Sequence, residues 1–569
     1  MFNLFYKKND NTALFKEFND IGINKIQNYI PLYGKFFNLQ ENNYEIINLN
    51  QTYHICSVAK TDNKNVYDCG LKSDNDTKRK STFFKFSPLL DPVKYMVGKY
   101  KDVNDKKTNL PKLSNNNCIK KVLDSNNAAY VDGFFTYLTS KILHHHKFIH
   151  GLDFYGSFLG VHENFKINIF DDLEYLNDSE YFHEHKNKYF TIDELDNDLF
   201  FDMDTRNYKR KLKIEKNISN KSILSLNNES FDNLFVETQK KTTNIIKELS
   251  EALVFQFDIS NNKLSNKNSK SQSSSKCSSR SSHTSNESIL EDEYEEEINN
   301  DSISDDSSEY TSSSLNSEIE CMATINNFPV QIICLEKMEA TLDSLLEEDL
   351  TVEEWRSCLF QIIMILNTYQ KMFNFTHNDL HTNNIMYNKT EKEYLYYKFN
   401  GKYYKVPTYG KIYKIIDFGR AIYSFKGKFI CSDSFHPKGD AATQYNVEPY
   451  FNKNKPRLKP NPSFDLCRLA CALYDFFLDD VEDVNTCGNP IASIIDEWCK
   501  DDKGRNILYK KCGEERYPDF KLYKMIARTV HKHTPQAQME NPQFQKYRIK
   551  KKKVQRKKII DIDNLPIYS

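Results

Sequence analysis

The sequence predicts an α+β fold, and three observations lead to that prediction. Short runs rich in aromatic and β-branched residues, as in 81–87 and 328–338, predict strands. Longer segments with apolar residues at every third or fourth position, as in 128–143 and 351–373, predict amphipathic helices. The serine-rich and acidic stretch 263–318 predicts a disordered insert, because so polar a segment cannot bury enough apolar surface to offset the entropy of ordering it.

The first elements follow a polar N-terminal extension, 1–44, that shows little periodicity. "STFFKFS", residues 81–87, predicts a short strand that carries one lysine, Lys85. The segment 128–143 has its apolar residues at helical spacing, and 148–161 indicates a loop followed by a strand. The sequence therefore predicts a strand, a helix and a second strand before the composition changes.

The next ordered elements begin after the insert. "FPVQIICLEKM", residues 328–338, contains the continuous apolar run of a buried strand. The helix predicted over 351–373 begins with a capping box, in which Thr351 and Glu354 each bond the other's backbone. Another apolar helix is predicted over 463–478.

Charge is distributed unevenly along the chain, although the formal net charge is only -1. This balance gives no global preference for nucleic acid or for a membrane surface. The segment 162–325 is largely acidic and polar, and the run 546–558 is strongly basic. Such a run can bind nucleic acid, serve as an import signal or pair with an acidic surface, and it can also be only a solubilising end. In either case we expect it to be dispensable for catalysis.

The cysteine pattern and the hydropathy of the chain indicate the cellular compartment in which the protein is expected. The 13 cysteines are scattered without a C-x-x-C, and Cys467 and Cys471 are expected to be buried free thiols, which fits a reducing compartment. The N-terminus lacks the apolar core of a signal peptide. No apolar run reaches the roughly 18 residues that a membrane span requires. We therefore expect a soluble, intracellular protein with no membrane partner.

Two motifs, "FTHNDLHTNNIMY" and "IIDFG", carry the chemistry. His377, Asp379 and Asn384 match the catalytic loop of protein kinases, H-R-D-L-x-x-x-N, and Asp417 opens a D-F-G. Both motifs occur in the family's order, and an apolar strand leads into Asp417. The chain therefore resembles the protein-kinase superfamily.

This resemblance implies a phosphoryl transfer that uses ATP and Mg²⁺, in which the protein mainly positions groups and neutralises charge. Asp379 would accept the proton of the incoming hydroxyl. Asn384 and Asp417 would supply the hard oxygen ligands that Mg²⁺ prefers. His377 and His381 lie in the same loop and join Asp379 as catalytic candidates.

Further positions extend the resemblance toward the nucleotide. Lys85 occupies the place of the strand lysine that holds the α- and β-phosphates, and Asp132 is the helix carboxylate available to pair with it. "CLEKM", with Glu336 and Met338, is similar to the hinge whose backbone bonds adenine. Asp465 matches the helix aspartate that holds the catalytic loop from below.

The resemblance also implies a bilobal fold, with a small β-rich N-lobe, a larger helical C-lobe and ATP between them. The implied segments are an extension over 1–44, the first part of the N-lobe over 45–161, an insert over 162–325, the last N-lobe strand and hinge over 326–339, the C-lobe over 340–545 and a basic tail over 546–569.

The chain departs from the family in several places. No G-x-G-x-x-G precedes Lys85, since Gly70 is the only glycine in 44–80. Asn378 stands in place of the arginine that reads activation-loop phosphorylation, and His381 in place of a phosphate-contacting lysine. The whole pattern is similar to that of protein kinases of giant DNA viruses of the mimivirus type.

Three functions stay open on the sequence. The first is a serine/threonine protein kinase that acts on a protein substrate in the cytoplasm of an infected host cell or in the virion. The second is a pseudokinase scaffold, favoured by the missing glycine loop and by an aspartate, Asp132, where the family has glutamate. The third is a small-molecule phosphotransferase of the aminoglycoside or choline kinase kind, favoured by His381.

Overall fold

The fold is mixed α and β, with a curled antiparallel sheet and several helices. Contacts divide the chain into two units, and every described residue belongs to the first; the second, 198–272, and the predicted disordered stretch, 263–318, lie outside the described residues. The computed structural model describes residues 2–8, 10–114, 117–193, 321–478, 488–551 and 559–569.

The elements are numbered in chain order. The helices are α1 (Thr12–Asp20), α2 (Pro92–Met96), α3 (Lys120–Leu123), α4 (Ala128–His146), α5 (Leu173–Asn177), α6 (Glu180–His185), α7 (Val352–Phe373), α8 (Phe464–Phe477), α9 (Pro490–Trp498), α10 (Phe520–Thr529), α11 (Pro535–Gln538) and α12 (Pro542–Gln545). The strands are β1 (Tyr6–Lys8), β2 (Ile23–Gln27), β3 (Ile47–Leu49), β4 (His54–Lys60), β5 (Val66–Lys72), β6 (Thr77–Pro88), β7 (Phe154–Asn168), β8 (Phe190–Ile192), β9 (Met322–Glu336), β10 (Ala340–Thr341), β11 (Ile385–Lys389), β12 (Tyr394–Phe399), β13 (Lys402–Pro407), β14 (Lys411–Ile415), β15 (Ile422–Phe425), β16 (Lys428–Cys431), β17 (Arg548–Ile549) and β18 (Ile559–Asp561).

A seven-stranded sheet forms the first half of the fold, in the order β2-β7-β9-β6-β5-β4, with β8 also paired to β9. From Phe328 onward its central strand β9 is buried on both faces, because helices cover both. Phe18 of α1 packs against Phe84 and Phe158 on one face. Helix α4 packs on the other, where Gly133 lies next to Gln331. This explains why the sequence of β9 is a continuous apolar run rather than an alternating one.

The predicted N-terminal extension, 1–44, contributes to this sheet. Strand β2 pairs with β7 in antiparallel register, with Ile23 opposite His162. Its sequence, "INKIQ", buries Ile23 and Gln27 and leaves the other three side chains at least partly exposed. So short and polar a strand carries little periodic signal, which is why the sequence did not reveal it.

The predicted insert begins and ends inside strands. Strand β7 continues to Asn168 and β9 starts at Met322, so both run past the predicted boundaries at 162 and 325. The chain leaves the described part after Asp193, whose N–H donates to the carbonyl of Met322 at 2.9 Å. The described residues on either side of the segment 194–320 are therefore adjacent at one sheet.

Helix α7 is the longest helix of the second half and is buried along most of its length. The predicted capping box is confirmed, since the Thr351 hydroxyl accepts from the Glu354 N–H at 3.3 Å and the Glu354 carboxylate accepts from the Thr351 N–H at 2.9 Å. The predicted helices over 128–143 and 463–478 are confirmed as α4 and α8. In the part of the chain that the structure describes, no helix is both long and apolar enough to cross a membrane.

The C-terminal segment is part of the fold at both ends of the basic run. Strand β17 pairs with β13, and β18 pairs in parallel with β12. The N–H of Tyr568 donates to the carbonyl of Met372 at 2.7 Å, and its hydroxyl accepts from the N–H of Phe2 at 2.8 Å. Parts of the segment 546–569 are thus packed into the fold, and the expectation that the basic run 546–558 is dispensable for catalysis stays a prediction. Residues 552–558 of the basic run lie outside the described residues.

Candidate functional site

Lys85, on β6, lies between two carboxylates that the sequence places far apart. Its Nζ is 2.6 Å from Oδ2 of Asp132 on α4 and 2.9 Å from Oδ1 of Asp417. The other oxygen of Asp132, Oδ1, accepts from the N–H of Phe418 at 2.9 Å. Asp132 therefore links the sheet lysine to the backbone of the "DFG" segment.

Asp132 reaches Lys85 because α4 lies close to the sheet. Gly133, the next residue, faces Gln331 and Ile333 of β9, and a Cβ built on it would lie 2.2 Å from Gln331 Nε2. Ile333 is the register partner of Lys85. A glycine at the crossing lets the backbones approach, so that an aspartate spans a distance that would otherwise require the longer glutamate.

The surroundings favour the ionised forms of Lys85 and Asp417 but not that of Asp132. Burial lowers the pKa of Lys85, but the carboxylates of Asp132 and Asp417 outweigh burial and raise it above the ordinary value. Burial raises the pKa of Asp417, and the Lys85 ammonium outweighs it and holds the pKa of that carboxyl well below its usual range. Burial raises the pKa of Asp132, with the Lys85 ammonium opposing the shift and the Asp417 carboxylate adding to it, so burial disfavours the ionised form of this carboxyl.

The loop that carries Asp379 is hydrogen-bonded to Asp465 of α8. Asp465, fully buried, accepts from the N–H of His377 and from the N–H of Asn378, both at 2.9 Å. Asn378 has a φ of 66°, in the left-handed region where asparagine is tolerated better than most residues. Its amide donates to the carbonyl of Arg420 at 2.9 Å and accepts from the Tyr445 hydroxyl at 2.8 Å. Asn378 thus connects the loop to the segment after Asp417 through neutral hydrogen bonds.

His377 has a positioning role in this geometry. Its Nε2 lies 2.9 Å from the carbonyl of Ile416, and its Nδ1 accepts from the N–H of Asp379 at 3.3 Å. The ring is fully buried. It therefore ties the Asp379 loop to the strand end before Asp417.

Asp379 keeps one carboxylate oxygen in a hydrogen bond and leaves the other available. Oδ1 accepts from the Tyr523 hydroxyl at 2.9 Å and lies 3.6 Å from a guanidinium nitrogen of Arg420. No hydrogen bond from the described residues reaches Oδ2. An oxygen free in this way can accept a proton from an incoming hydroxyl.

Asn384 is oriented by its amide nitrogen. Nδ2 donates to the carbonyl of Asp379 and to Nε2 of His381, both at 2.9 Å. Its Oδ1 has no hydrogen bond within the described ranges. Burial lowers the pKa of His381 to about 4, so the ring is neutral at pH 7 and does not supply the positive charge of the lysine that the family places there.

The aromatic ring of the "DFG" segment anchors Asp417 to the helices. Phe418 is fully buried and contacts Phe135 of α4 with ring centroids 4.7 Å apart, and Phe375 at 5.9 Å. Asp417 itself has a φ of 61° and precedes this buried ring. The buried neighbour fixes the direction in which the Asp417 carboxylate points.

The segment after Asp417 also holds the start of α4. The Asp433 carboxylate accepts from the N–H of Ala128 at 2.9 Å and pairs with Lys121. The N-cap of the helix, Asn127, accepts from the N–H of Ala129. Two of the free N–H groups at the helix start are thereby satisfied.

The two predicted hinge residues differ in what they contact. The Glu336 carboxylate forms a buried ion pair with Lys414 and accepts from the Asp153 N–H at 2.8 Å and from the Asn388 amide at 2.7 Å. These bonds occupy its side chain, and its backbone N–H donates to the carbonyl of Asp153 at 2.9 Å. Met338 is buried at the end of the same strand segment.

The turn between the two strands that precede β6 contains no glycine. It connects β4 and β5 over residues 61–65, with Asn65 at a φ of 58°. A Cβ at each of these positions keeps the backbone farther from a ligand than glycine would.

The donor set fits Mg²⁺ only together with a nucleotide. Among the described residues, no three His, Cys, Asp or Glu side chains are grouped so that they could hold a metal ion by themselves. The free Oδ1 of Asn384 and the Oδ2 of Asp417, which has no hydrogen bond from the described part of the chain, offer two hard oxygens. Mg²⁺ commonly takes one or two protein ligands and completes its octahedron with phosphate oxygens and water.

Several residues of this site were not predicted from the sequence. They are Tyr523, Arg420, Asp433 and Lys414. Tyr523 is 144 residues away from Asp379 in the chain and belongs to no motif. Only Arg420 had a local signal, because it follows "DFG" directly.

Comparison with known proteins adds no family to this picture. No protein-family model matches the chain, and a search of curated proteins finds no match.

Proposed function

We propose that this chain is an ATP- and Mg²⁺-dependent serine/threonine protein kinase. The observation that carries the proposal is the placement of Lys85 within 3 Å of both Asp132 and Asp417. In the proposed fold, the seven-stranded sheet is the smaller lobe and the part built around α7 and α8 is the larger one. The nucleotide would lie between them, beside Glu336 and Met338.

Each residue has a defined role in the proposed mechanism. Lys85 would bind the nucleotide phosphates, with Asp132 keeping its ammonium in place. Asn384 and Asp417 would hold Mg²⁺, which neutralises the charge on the transferred phosphoryl group when it is bound. Asp379 would accept the proton of a serine or threonine hydroxyl through its free Oδ2. His377 and His381 would orient Asp379 and Asn384.

One observation favours a second candidate, a pseudokinase scaffold. The turn over 61–65 lacks glycine, so its backbone cannot approach phosphates as a glycine loop does. The third alternative, a small-molecule phosphotransferase, keeps His381 as its support.

A single assay separates the three functions. Purified protein is incubated with labelled ATP and Mg²⁺, together with a generic basic protein, with choline or an aminoglycoside, or with no acceptor. A kinase labels the protein acceptor, and the Asp379→Asn variant should lose about 10²–10⁴-fold in turnover. Transfer only to the small molecules would favour the third function. Wild-type protein that transfers nothing would refute the kinase and favour the scaffold.

A further inference from the structure

The hydroxyl of Tyr523, on α10, reaches the same carboxylate that the proposed mechanism uses. It donates to Asp379 Oδ1 at 2.9 Å and accepts from Nε of Arg468 at 2.9 Å. Burial raises the pKa of Tyr523 to about 12, so the hydroxyl carries its proton at neutral pH and is the donor in the first bond. A buried arginine, a tyrosine and the carboxylate thus form a chain of hydrogen bonds.

The Tyr523 ring is also held firmly. It stacks on Phe520 with ring centroids 5.1 Å apart and lies near the guanidinium groups of Arg468, at 5.1 Å, and Arg420, at 5.7 Å. Only 7% of the residue is exposed. The hydroxyl therefore has a fixed position relative to the Asp379 loop.

We infer that Tyr523 is a positioning residue for phosphoryl transfer. It holds Asp379 Oδ1 so that Oδ2 faces the acceptor hydroxyl. Without this bond the carboxylate would keep only the longer contact of Oδ1 with Arg420, at 3.6 Å, and the aligned orientation would be populated less. This inference rests on the proposed kinase function.

The test compares two conservative variants of hydrogen-bonded tyrosines. Tyr523→Phe keeps the ring and removes the bond to Asp379. Tyr509→Phe is the matched control, because its hydroxyl donates to another carboxylate, Asp475, at 2.8 Å. Steady-state kinetics are measured with Mg-ATP and the basic protein acceptor.

We expect Tyr523→Phe to lower kcat about tenfold to a hundredfold, the range for a lost hydrogen bond to a charged group. KM for ATP and for the acceptor should stay within about twofold, because ground-state binding does not use this bond. Tyr509→Phe should leave both constants within the same margin. A series of fluorinated tyrosines at position 523 keeps the shape and changes the strength of the donor, so kcat should change along the series at constant KM.

Several results would overturn the inference. One is a kcat of Tyr523→Phe that is unchanged or raised. Another is a loss shared equally by Tyr509→Phe, or a loss that appears only in KM. If Tyr523→Phe does not fold, a kcat that is constant along the fluorotyrosine series decides against the positioning role. Wild-type protein without phosphotransfer overturns the proposed function as well, whereas an active wild type with an unaffected Tyr523→Phe overturns this inference alone.

Discussion

Gly133 controls how closely α4 approaches the sheet, and Gly133→Ala tests that role. The added Cβ would lie 2.2 Å from Nε2 of Gln331. An ordinary contact requires about 3.5 Å, so the side chain or the helix must move by about 1 Å. Gln331 is buried, and its amide donates to the Ser157 hydroxyl at 2.7 Å.

The free-energy change has two opposing parts. Alanine improves the helix propensity of a glycine position by about 1 kcal/mol. Displacing Gln331 breaks its bond to Ser157 and leaves a buried polar group unsatisfied, which costs about 1–3 kcal/mol, and overpacking adds to that cost. We therefore expect Gly133→Ala to lower the free energy of unfolding by about 1–2 kcal/mol. A helix displaced outward would also stretch the pair of Lys85 and Asp132 and weaken Mg-ATP binding.

The assay is urea unfolding of a double-mutant cycle. In the Gln331→Ala background the obstructing amide is absent, so Gly133→Ala should become neutral or stabilising by up to about 1 kcal/mol. The sign of the effect should thus reverse between the two backgrounds. If Gly133→Ala stabilises the wild-type chain as much as the Gln331→Ala chain, the close approach at Gly133 does not determine the helix position.

Three more changes follow from contacts of the fold. Asp433→Ala should lower the free energy of unfolding by about 2 kcal/mol in a urea titration. The reason is that the partly buried Lys121 loses its carboxylate partner and α4 loses a hydrogen bond at its first turn. A change below about 0.5 kcal/mol would contradict this prediction. Deleting 263–318 should leave the melting temperature within about 2 °C of wild type, because this stretch lies inside the segment 194–320, whose described flanks Asp193 and Met322 are bonded to each other. A chain that no longer folds would disprove this prediction. Truncation after residue 545 should lower the free energy of unfolding by more than about 3 kcal/mol, since it removes two strands and several buried apolar side chains. Serine in place of the basic residues of 552–558 should not lower it by that amount. A truncated chain as stable as the full chain would contradict this expectation.

The parts of the fold that the sequence predicted share strong local patterns. The helices over 128–143 and 351–373 have long apolar faces, and the second has a capping box. Strands β2 and β18 were missed, because each is short and has only one or two buried residues. Their stability comes from pairing with distant strands, which no local window of sequence contains.

The residues of the candidate site likewise divide into those with a local sequence signal and those without one. His377, Asp379, Asn384 and Asp417 follow from motif spacing, since each motif is a continuous stretch of chain. Asp132 could be named because it is the only carboxylate in its predicted helix. Contacts such as that of Tyr523 with Asp379 join residues from separate helices and loops, and a single sequence does not show which surfaces meet.

The buried pair of Glu336 and Lys414 has a mechanical consequence. It joins the end of β9, in the seven-stranded sheet, to β14, in the three-stranded sheet β10-β11-β14. Pulling the two apart would leave an uncompensated charge in the interior, at a cost of about 3–5 kcal/mol, several times the thermal energy. This ion pair, together with the bond from the Asn388 amide of β11 to Glu336, therefore resists separation of the two sheets at this end of β9. In the proposed kinase, an opening that admits a nucleotide would rotate the sheets about this end of β9, with the largest displacement at the far edge of the seven-stranded sheet, near the β4–β5 turn.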